Sequence, residues 1–176
     1  RARLDDYLDN VREIERRIQL VERRNAGAAE PRELPEAPPD EIGLGDGILV
    51  KTFRLNHPNG AVGYRVEFEG RALCYITDTE HEAGTIDAAL VEFIAGAEMM
   101  IYDSTYTDED FERYVGFGHS TWQQGVRLCR AAGVERFVAF HHDVSRTDDW
   151  LEKLEAEMRA VFSGAYVAST GLTLSV

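Results

Sequence analysis

The chain has 176 residues, enough for one domain with a substantial core. Its 32 acidic and 19 basic residues give a formal charge of −13. This charge argues against an extended electrostatic binding surface for nucleic acid or an anionic membrane. Only a local basic pocket would serve such a contact. No apolar run approaches the ~20 residues that span a bilayer, so we expect no membrane partner. A small anionic or metal-bridged substrate fits this composition better.

The two cysteines lie inside apolar patterns, Cys74 in "ALCYIT" and Cys129 in "VRLCRAAGV". Buried free thiols are the commonest outcome for such positions, ahead of a disulfide or a metal-binding pair. Free thiols are typical of a reducing compartment, so the expected location is the cytoplasm.

The first 24 residues carry apolar side chains in alternating steps of three and four, as the a and d positions of a heptad require. These side chains are Leu4, Tyr7, Val11, Ile14, Ile18 and Val21. The pattern predicts a helix over residues 1–24, which either pairs in a coiled coil to form a homodimer or packs on its own domain. Residues 25–45 are rich in proline and acids and predict a linker.

Residues 46–176 predict an α/β layered domain. β-rich runs joined by turn residues come first and predict sequential antiparallel strands; strand–helix alternation follows. The predicted strands are "ILVKTFRL", "AVGYRVEF", "ALCYIT", "MMIYD", "RFVAF" and "AYVASTGLTLSV", and the predicted helices cover 85–95, 121–132 and 147–162. We expect Ser120 or Thr121 to cap the helix over 121–132.

The five histidines lie at strand ends or in loops, outside the regular periodic runs: His57, His81, His119, His141 and His142. His57, Asp78 and His141 each follow a predicted strand. If those strands share a sheet edge, their C-terminal ends converge on one crevice. Imidazole nitrogen and carboxylate oxygen bind zinc, manganese or iron. Singly, each histidine is more often an ordinary polar residue, but together they favour a metal site.

The stretch "GFGHSTWQQG" places His119, Ser120 and Thr121 at the start of a predicted helix. Hydroxyls, free backbone N–H groups and the positive end of the helix dipole all favour an anion there. A plain helix cap is the alternative, and the two roles are compatible.

Four motifs, "LNHPNGAVGYRVEFEGRALCYITDTEH", "MIYDSTYTDEDF", "GHSTW" and "FHHD", resemble in this order the C-terminal half of metallo-β-lactamase-fold hydrolases. The likeness is to the phosphodiesterase-like branch related to tRNA 3′-processing endonucleases. The resemblance implies an αββα sandwich, of which this chain would hold the C-terminal half.

The same resemblance implies roles for particular residues. His57 and His141 would be metal ligands, and Asp78 a carboxylate that bridges two divalent transition ions, zinc first and manganese or iron as alternatives. Of the adjacent histidines we choose His141 over His142, because His141 directly follows the apolar strand. His119 would contact the phosphate or assist the leaving group, with Ser120 and Thr121 binding the phosphate.

The chain departs from that family in one respect, because those enzymes carry a His-x-His-x-Asp-His motif and this chain has no histidine before His57. Either the first half of the domain lies outside this sequence, or the protein is a degenerate relative. Half of such a sandwich would also expose an apolar sheet face.

Two functions from different classes follow. The first is a metal-dependent hydrolase of phosphodiesters or related esters, with Asp78 and His119 as catalytic residues. The alternative is a non-catalytic, dimeric sensory or regulatory module with a lactamase-like body; a purely structural dimer is a third interpretation.

Overall fold

The computed structural model describes residues 41–176. The predicted helix over 1–24, and with it the predicted coiled-coil dimer, lies outside the described residues. The strands are β1 (Glu41–Gly45), β2 (Ile48–Leu55), β3 (Ala61–Phe68), β4 (Arg71–Ile76), β5 (Met99–Asp103), β6 (Arg136–Phe140) and β7 (Ala165–Val167). The helices are α1 (Ala88–Ile94), α2 (Asp108–Phe111), α3 (Trp122–Ala132) and α4 (Asp148–Val161).

All seven strands form one sheet in which the spatial order is the chain order. Neighbours from β1 to β4 are antiparallel, and neighbours from β4 to β7 are parallel. Because β2 and β4 are both antiparallel to β3, they run in the same direction as β5 and β6. The C-terminal ends of these four strands therefore lie along one edge, which we call the carboxyl edge.

The helices α1, α3 and α4 bury their apolar side chains against one face of the sheet. On that face β4 contributes the alternate residues Ala72, Cys74 and Ile76, all buried in the same core as the helix residues. Gly125 lets α3 approach closely, since a Cβ at this position would lie 2.4 Å from Cε2 of Phe137. This packing makes the described residues an α/β layered structure, as predicted.

Both cysteines are buried and free, as predicted, and lie in this core. Burial raises the pKa of the Cys74 thiol to about 11 and that of the Cys129 thiol to about 12. The two thiols are therefore protonated near neutral pH and act as small apolar side chains.

Most predicted elements are confirmed, and the differences are at the two ends of the sheet and in one short helix. β1 occupies 41–45, which the sequence assigns to the linker, because the turn at Asp46 and Gly47 folds it back onto β2. β7 ends at Val167, so 168–176 leave the sheet, contrary to the predicted strand. The short helix α2 was not predicted.

Among the described residues, no helix is long and apolar enough to cross a membrane.

The face of the sheet opposite the helices is apolar and partly open. The tail over 168–176 crosses it and, with Leu73, Ile101 and Val138, lines a groove of about 280 Å³. Tyr64 and Phe68 stay exposed on the same face, since they pair in register with Tyr75 and Arg71 of β4. The described part of the chain thus exposes the apolar sheet face that we expected of half a sandwich.

Candidate metal centre and active site

The predicted site residues His57, Asp78, His119 and His141 meet at the carboxyl edge. His57 follows β2, Asp78 follows β4, His141 follows β6, and His119 precedes α3. In two groups the candidate ligand atoms lie within 4.8 Å of one another: His57, Asp78 and His119 form one, and His119 and His141 form the other with Asp103. The sheet topology therefore produces the convergence that the sequence predicted.

Asp78 and His141 have left-handed backbone conformations, with φ of 59° and 60°. Such conformations are uncommon outside glycine and persist where neighbouring groups hold them. The Asp78 N–H donates to Oδ2 of Asp103 at 3.0 Å, and the Thr105 hydroxyl donates to the His141 carbonyl at 2.6 Å. As a result Nε2 of His141 lies 3.5 Å from Oδ1 of Asp78.

Asp103, the last residue of β5, is fully buried and was not predicted as a site residue. Its Oδ1 accepts hydrogen bonds from the N–H groups of Thr105 and Ser120, and the Thr105 hydroxyl oxygen lies 2.9 Å from it. Its Oδ2 lies 2.9 Å from Nδ1 of His119. An ionised carboxylate only accepts, so this contact places a proton on Nδ1 and leaves Nε2 of His119 for other partners.

His57 is held from two sides. The Asn59 N–H donates to its Nδ1 at 3.2 Å. On the other side lies Gly118, whose φ is +88° and where a Cβ would come within 2.2 Å of Cδ2 of His57. Glycine is therefore required at 118 by both backbone conformation and space. The His119 ring contacts His57 edge-on at 5.9 Å between centroids and stacks on His141 at 4.7 Å.

Glu80 fastens the loop over 112–118 to the strand ends. Its Oε2 accepts from the N–H of Gly116 at 2.7 Å and from the N–H of Gly118 at 3.0 Å. Its own N–H donates to the Asn56 carbonyl, and the Asn56 amide donates back to the Glu80 carbonyl. One acidic side chain thus joins three segments of the site, and the sequence carried no local signal for it.

Ser120 and Thr121 are fully buried. The Ser120 hydroxyl lies 2.7 Å from Nδ1 of His81 and 2.8 Å from the Tyr102 hydroxyl. The Thr121 hydroxyl donates to Asp108 and accepts from the Gln124 N–H as the N-cap of α3. Thr121 is therefore the cap of α3, one of the two residues that we expected there, whereas the Ser120 hydroxyl contacts side chains of the core. The contact of these two residues with a phosphate stays a prediction.

The other two histidines lie outside both ligand groups. Burial, with a smaller contribution from Arg127, lowers the pKa of His81 to about 4, so its ring is neutral near pH 7 and stacks on Phe111 at 4.1 Å. Burial also lowers the pKa of His142, although the Ser104 and Ala139 backbones oppose this effect. Of the adjacent pair, His141 faces Asp78, and its role as a metal ligand stays a prediction.

The donor set at the carboxyl edge fits a divalent transition metal. Each of the two groups brings three nitrogen and oxygen donors within 4.8 Å of one another, and His119 belongs to both. Imidazole nitrogen and carboxylate oxygen are donors that zinc, manganese and iron accept. A larger concavity of about 600 Å³, lined by residues 129–130, 133–136 and 162–164, lies at the opposite edge. None of the candidate metal ligands lines this cavity, so we place the candidate metal site at the carboxyl edge.

A helix-covered sheet with histidines and aspartates at one edge is an arrangement that can hold the metal ion of a metal-dependent α/β protein. The family described as the beta-lactamase superfamily domain matches residues 8–142. The chain therefore belongs to the beta-lactamase superfamily. The match begins well upstream of residue 46, where the sequence predicts the domain to begin.

Relatives in this superfamily include enzymes named for RNA. A protein named ribonuclease Z from Gemmatimonas aurantiaca is 31% identical over 163 residues, covering 89% of this chain and 49% of that protein. The chain thus spans about half the length of the curated relative. This name runs against our expectation, drawn from net charge, that nucleic acid is a poor partner.

Solved structures share the fold. The short form of human tRNase Z superposes with a TM-score of 0.57 at 19% identity, over 77% of this chain and 47% of that one. The zinc-bound PqqB from Methylobacterium extorquens gives a TM-score of 0.57 at 23% identity, over 77% and 53%. At these identities the likeness supports the metallo-β-lactamase-like fold.

Proposed function

We propose that this chain carries part of the active site of a metal-dependent phosphodiester hydrolase, and that its substrate is RNA or a shorter phosphodiester. The observation that carries the proposal is the convergence of His57, Asp78 and His141 on one sheet edge beside the His119–Asp103 pair. The name of the curated relative supports the substrate class. This proposal replaces our preference for substrates other than nucleic acid.

His57, Asp78 and His141 are the residues that would hold the metal, with Asp78 between the two histidines. We propose two divalent transition ions, zinc before manganese or iron. When bound, such ions supply Lewis acidity toward a phosphoryl oxygen and a nucleophile at neutral pH. PqqB, which shares the fold, was crystallised with zinc bound, and this supports the choice of metal.

His119 would supply a proton to the leaving group. Asp103 orients its ring through Nδ1, so Nε2 is the atom that faces outward from this buried contact. A proton held at Nε2 can pass to the departing alkoxide oxygen or stabilise its charge by hydrogen bonding. Asp103 is buried and touches no open surface, which makes it a positioning residue for His119 and Asp78.

The test is hydrolysis of bis(p-nitrophenyl) phosphate by the purified protein, with and without zinc and a chelator. Asp78→Asn should lower the metal-dependent rate by roughly 100-fold or more, because it removes a charged ligand. Asp46→Asn is the matched control. Asp46 is an exposed aspartate that also has a left-handed φ, 51° against 59°, and lies at the opposite edge.

Hydrolysis that survives both chelation and Asp78→Asn would refute the proposal. Equal loss in Asp78→Asn and Asp46→Asn would do the same, because it would trace the effect to the backbone conformation that the two positions share.

A further inference from the structure

A ladder of aromatic rings runs outward from His119. The Tyr106 ring lies edge-on to His119 at 6.2 Å between centroids, and Tyr114 stacks on Tyr106 at 4.4 Å with the planes 4° apart. Phe117 contacts Tyr114 edge-on at 5.9 Å. We call Tyr106, Tyr114 and Phe117 the aromatic wall.

The outer rings of the wall are open to solvent. Tyr106 is buried, whereas Tyr114 is 37% exposed and Phe117 is 61% exposed. Core packing does not account for a phenylalanine that is mostly in water. Large exposed aromatic side chains beside a site commonly mark where a planar ligand binds.

The wall is also held in place. Glu80 binds the N–H groups of Gly116 and Gly118 on either side of Phe117, and Gly118 packs directly on His57. The rings therefore keep a fixed position relative to the candidate metal ligands. Rigid placement reduces the conformational entropy lost when a ligand binds.

Charge narrows the choice of ligand. With a net charge of −13 the protein gains little from electrostatic contact with a phosphate backbone. The segment 108–112, between Tyr106 and Tyr114, contains four acidic residues. Stacking on a nucleobase needs no positive charge, because every base presents a π-face. In a nucleic acid, one sugar separates each base from the phosphate, so a base lies close to the phosphodiester that the proposed active site would hydrolyse.

We infer that the aromatic wall binds the nucleobase next to the scissile phosphate, with Phe117 as the main stacking surface. This inference rests on the proposed function, which it deepens by assigning a base subsite. It predicts that a substrate with a base gains affinity from Phe117, whereas a substrate of equal charge without a base does not.

The experiment compares two substrates that share a leaving group, thymidine 5′-(p-nitrophenyl phosphate) and methyl p-nitrophenyl phosphate. Phe117→Ala should raise KM for the thymidine substrate by roughly tenfold, the size of one lost stack, and leave the methyl substrate unchanged. Phe117→Trp should restore the KM. Phe68→Ala is the control, since Phe68 is 45% exposed and lies at the opposite edge of the sheet.

If Phe117→Ala raises KM equally for both substrates, or for neither, the base subsite is overturned and the proposed hydrolase function is unaffected. If the wild type cleaves neither substrate, the proposed function fails and binding decides the inference. In that case thymidine 5′-monophosphate should bind more tightly than 2-deoxyribose 5-phosphate, and Phe117→Ala should abolish the difference. Equal binding of the two ligands would overturn the inference.

Discussion

Asp103 connects the candidate metal ligands to one another. Its two oxygens accept hydrogen bonds from the backbone of Asp78, Thr105 and Ser120, and one of them also contacts the His119 ring. These hydrogen bonds tie one buried side chain to four positions of the site. The side chain thereby fixes the backbone at Asp78 and the ring orientation of His119 together.

Replacing Asp103 by asparagine should destabilise the fold. In the wild type these backbone N–H groups donate to a carboxylate oxygen. In the variant the amide NH₂ would replace one of the two oxygens and cannot accept a hydrogen bond. A buried donor would be left unsatisfied, at a cost of about 1–3 kcal/mol. Urea denaturation should show this loss in the free energy of unfolding, whereas Asp46→Asn should not. An Asp103→Asn variant as stable as the wild type would contradict the role that we assign to this carboxylate.

At the residue scale, the sequence predicted His57, Asp78 and His141 because each stands directly after an apolar strand. Asp103 also ends a strand, but the sequence pattern includes it in the buried strand and gives no sign of a separate role. Its partners at 78, 105 and 120 come together only in the folded protein. The motif around Ser120 gives no indication that the Ser120 hydroxyl lies within hydrogen-bond distance of Tyr102 and His81, because both residues are distant in sequence.

At the scale of elements, the loop over 112–118 brings the aromatic wall and His57 together. Two glycines with left-handed conformations frame Phe117: Gly116 has a φ of +93° and Gly118 a φ of +88°. They differ in surroundings, since a Cβ on Gly116 would meet nothing within 4 Å, whereas one on Gly118 would overlap the His57 ring.

Gly118→Ala should therefore impair the site more than Gly116→Ala. Both variants carry the cost of a left-handed alanine, about 1–2 kcal/mol of unfolding free energy. Gly118→Ala must also displace His57 and should weaken zinc binding by roughly tenfold or more in calorimetric titration. Equal zinc affinity in the two variants would show that the position of His57 does not depend on this contact.

Elements with strong local patterns were predictable from sequence. The strands over 48–55 and 61–68 and the helix that Thr121 caps have clear periodicity and turn residues at their ends. β1 was not predictable, because it follows a proline-rich, acidic stretch and forms by pairing with β2. The tail over 168–176 has a strand-like composition but packs across the open face of the sheet.

At the scale of the whole molecule, sheet direction explains why one edge holds the chemistry. β2, β4, β5 and β6 all run toward the carboxyl edge, so residues as far apart in sequence as His57 and His141 come to the same edge and each contacts His119. The chain spans about half of its curated relative, and its sheet leaves one apolar face partly open. The donor groups described at the carboxyl edge are the ones that we propose to hold the metal.

The central claim is that this edge is a metal centre, and zinc content per chain tests it most directly. Elemental analysis of protein dialysed without chelator should find about one or two equivalents of zinc in the wild type and in Asp46→Asn. Asp78→Asn and His141→Ala should each lose most of it. Wild-type protein with zinc at background, or variants that retain the wild-type amount, would contradict the claim.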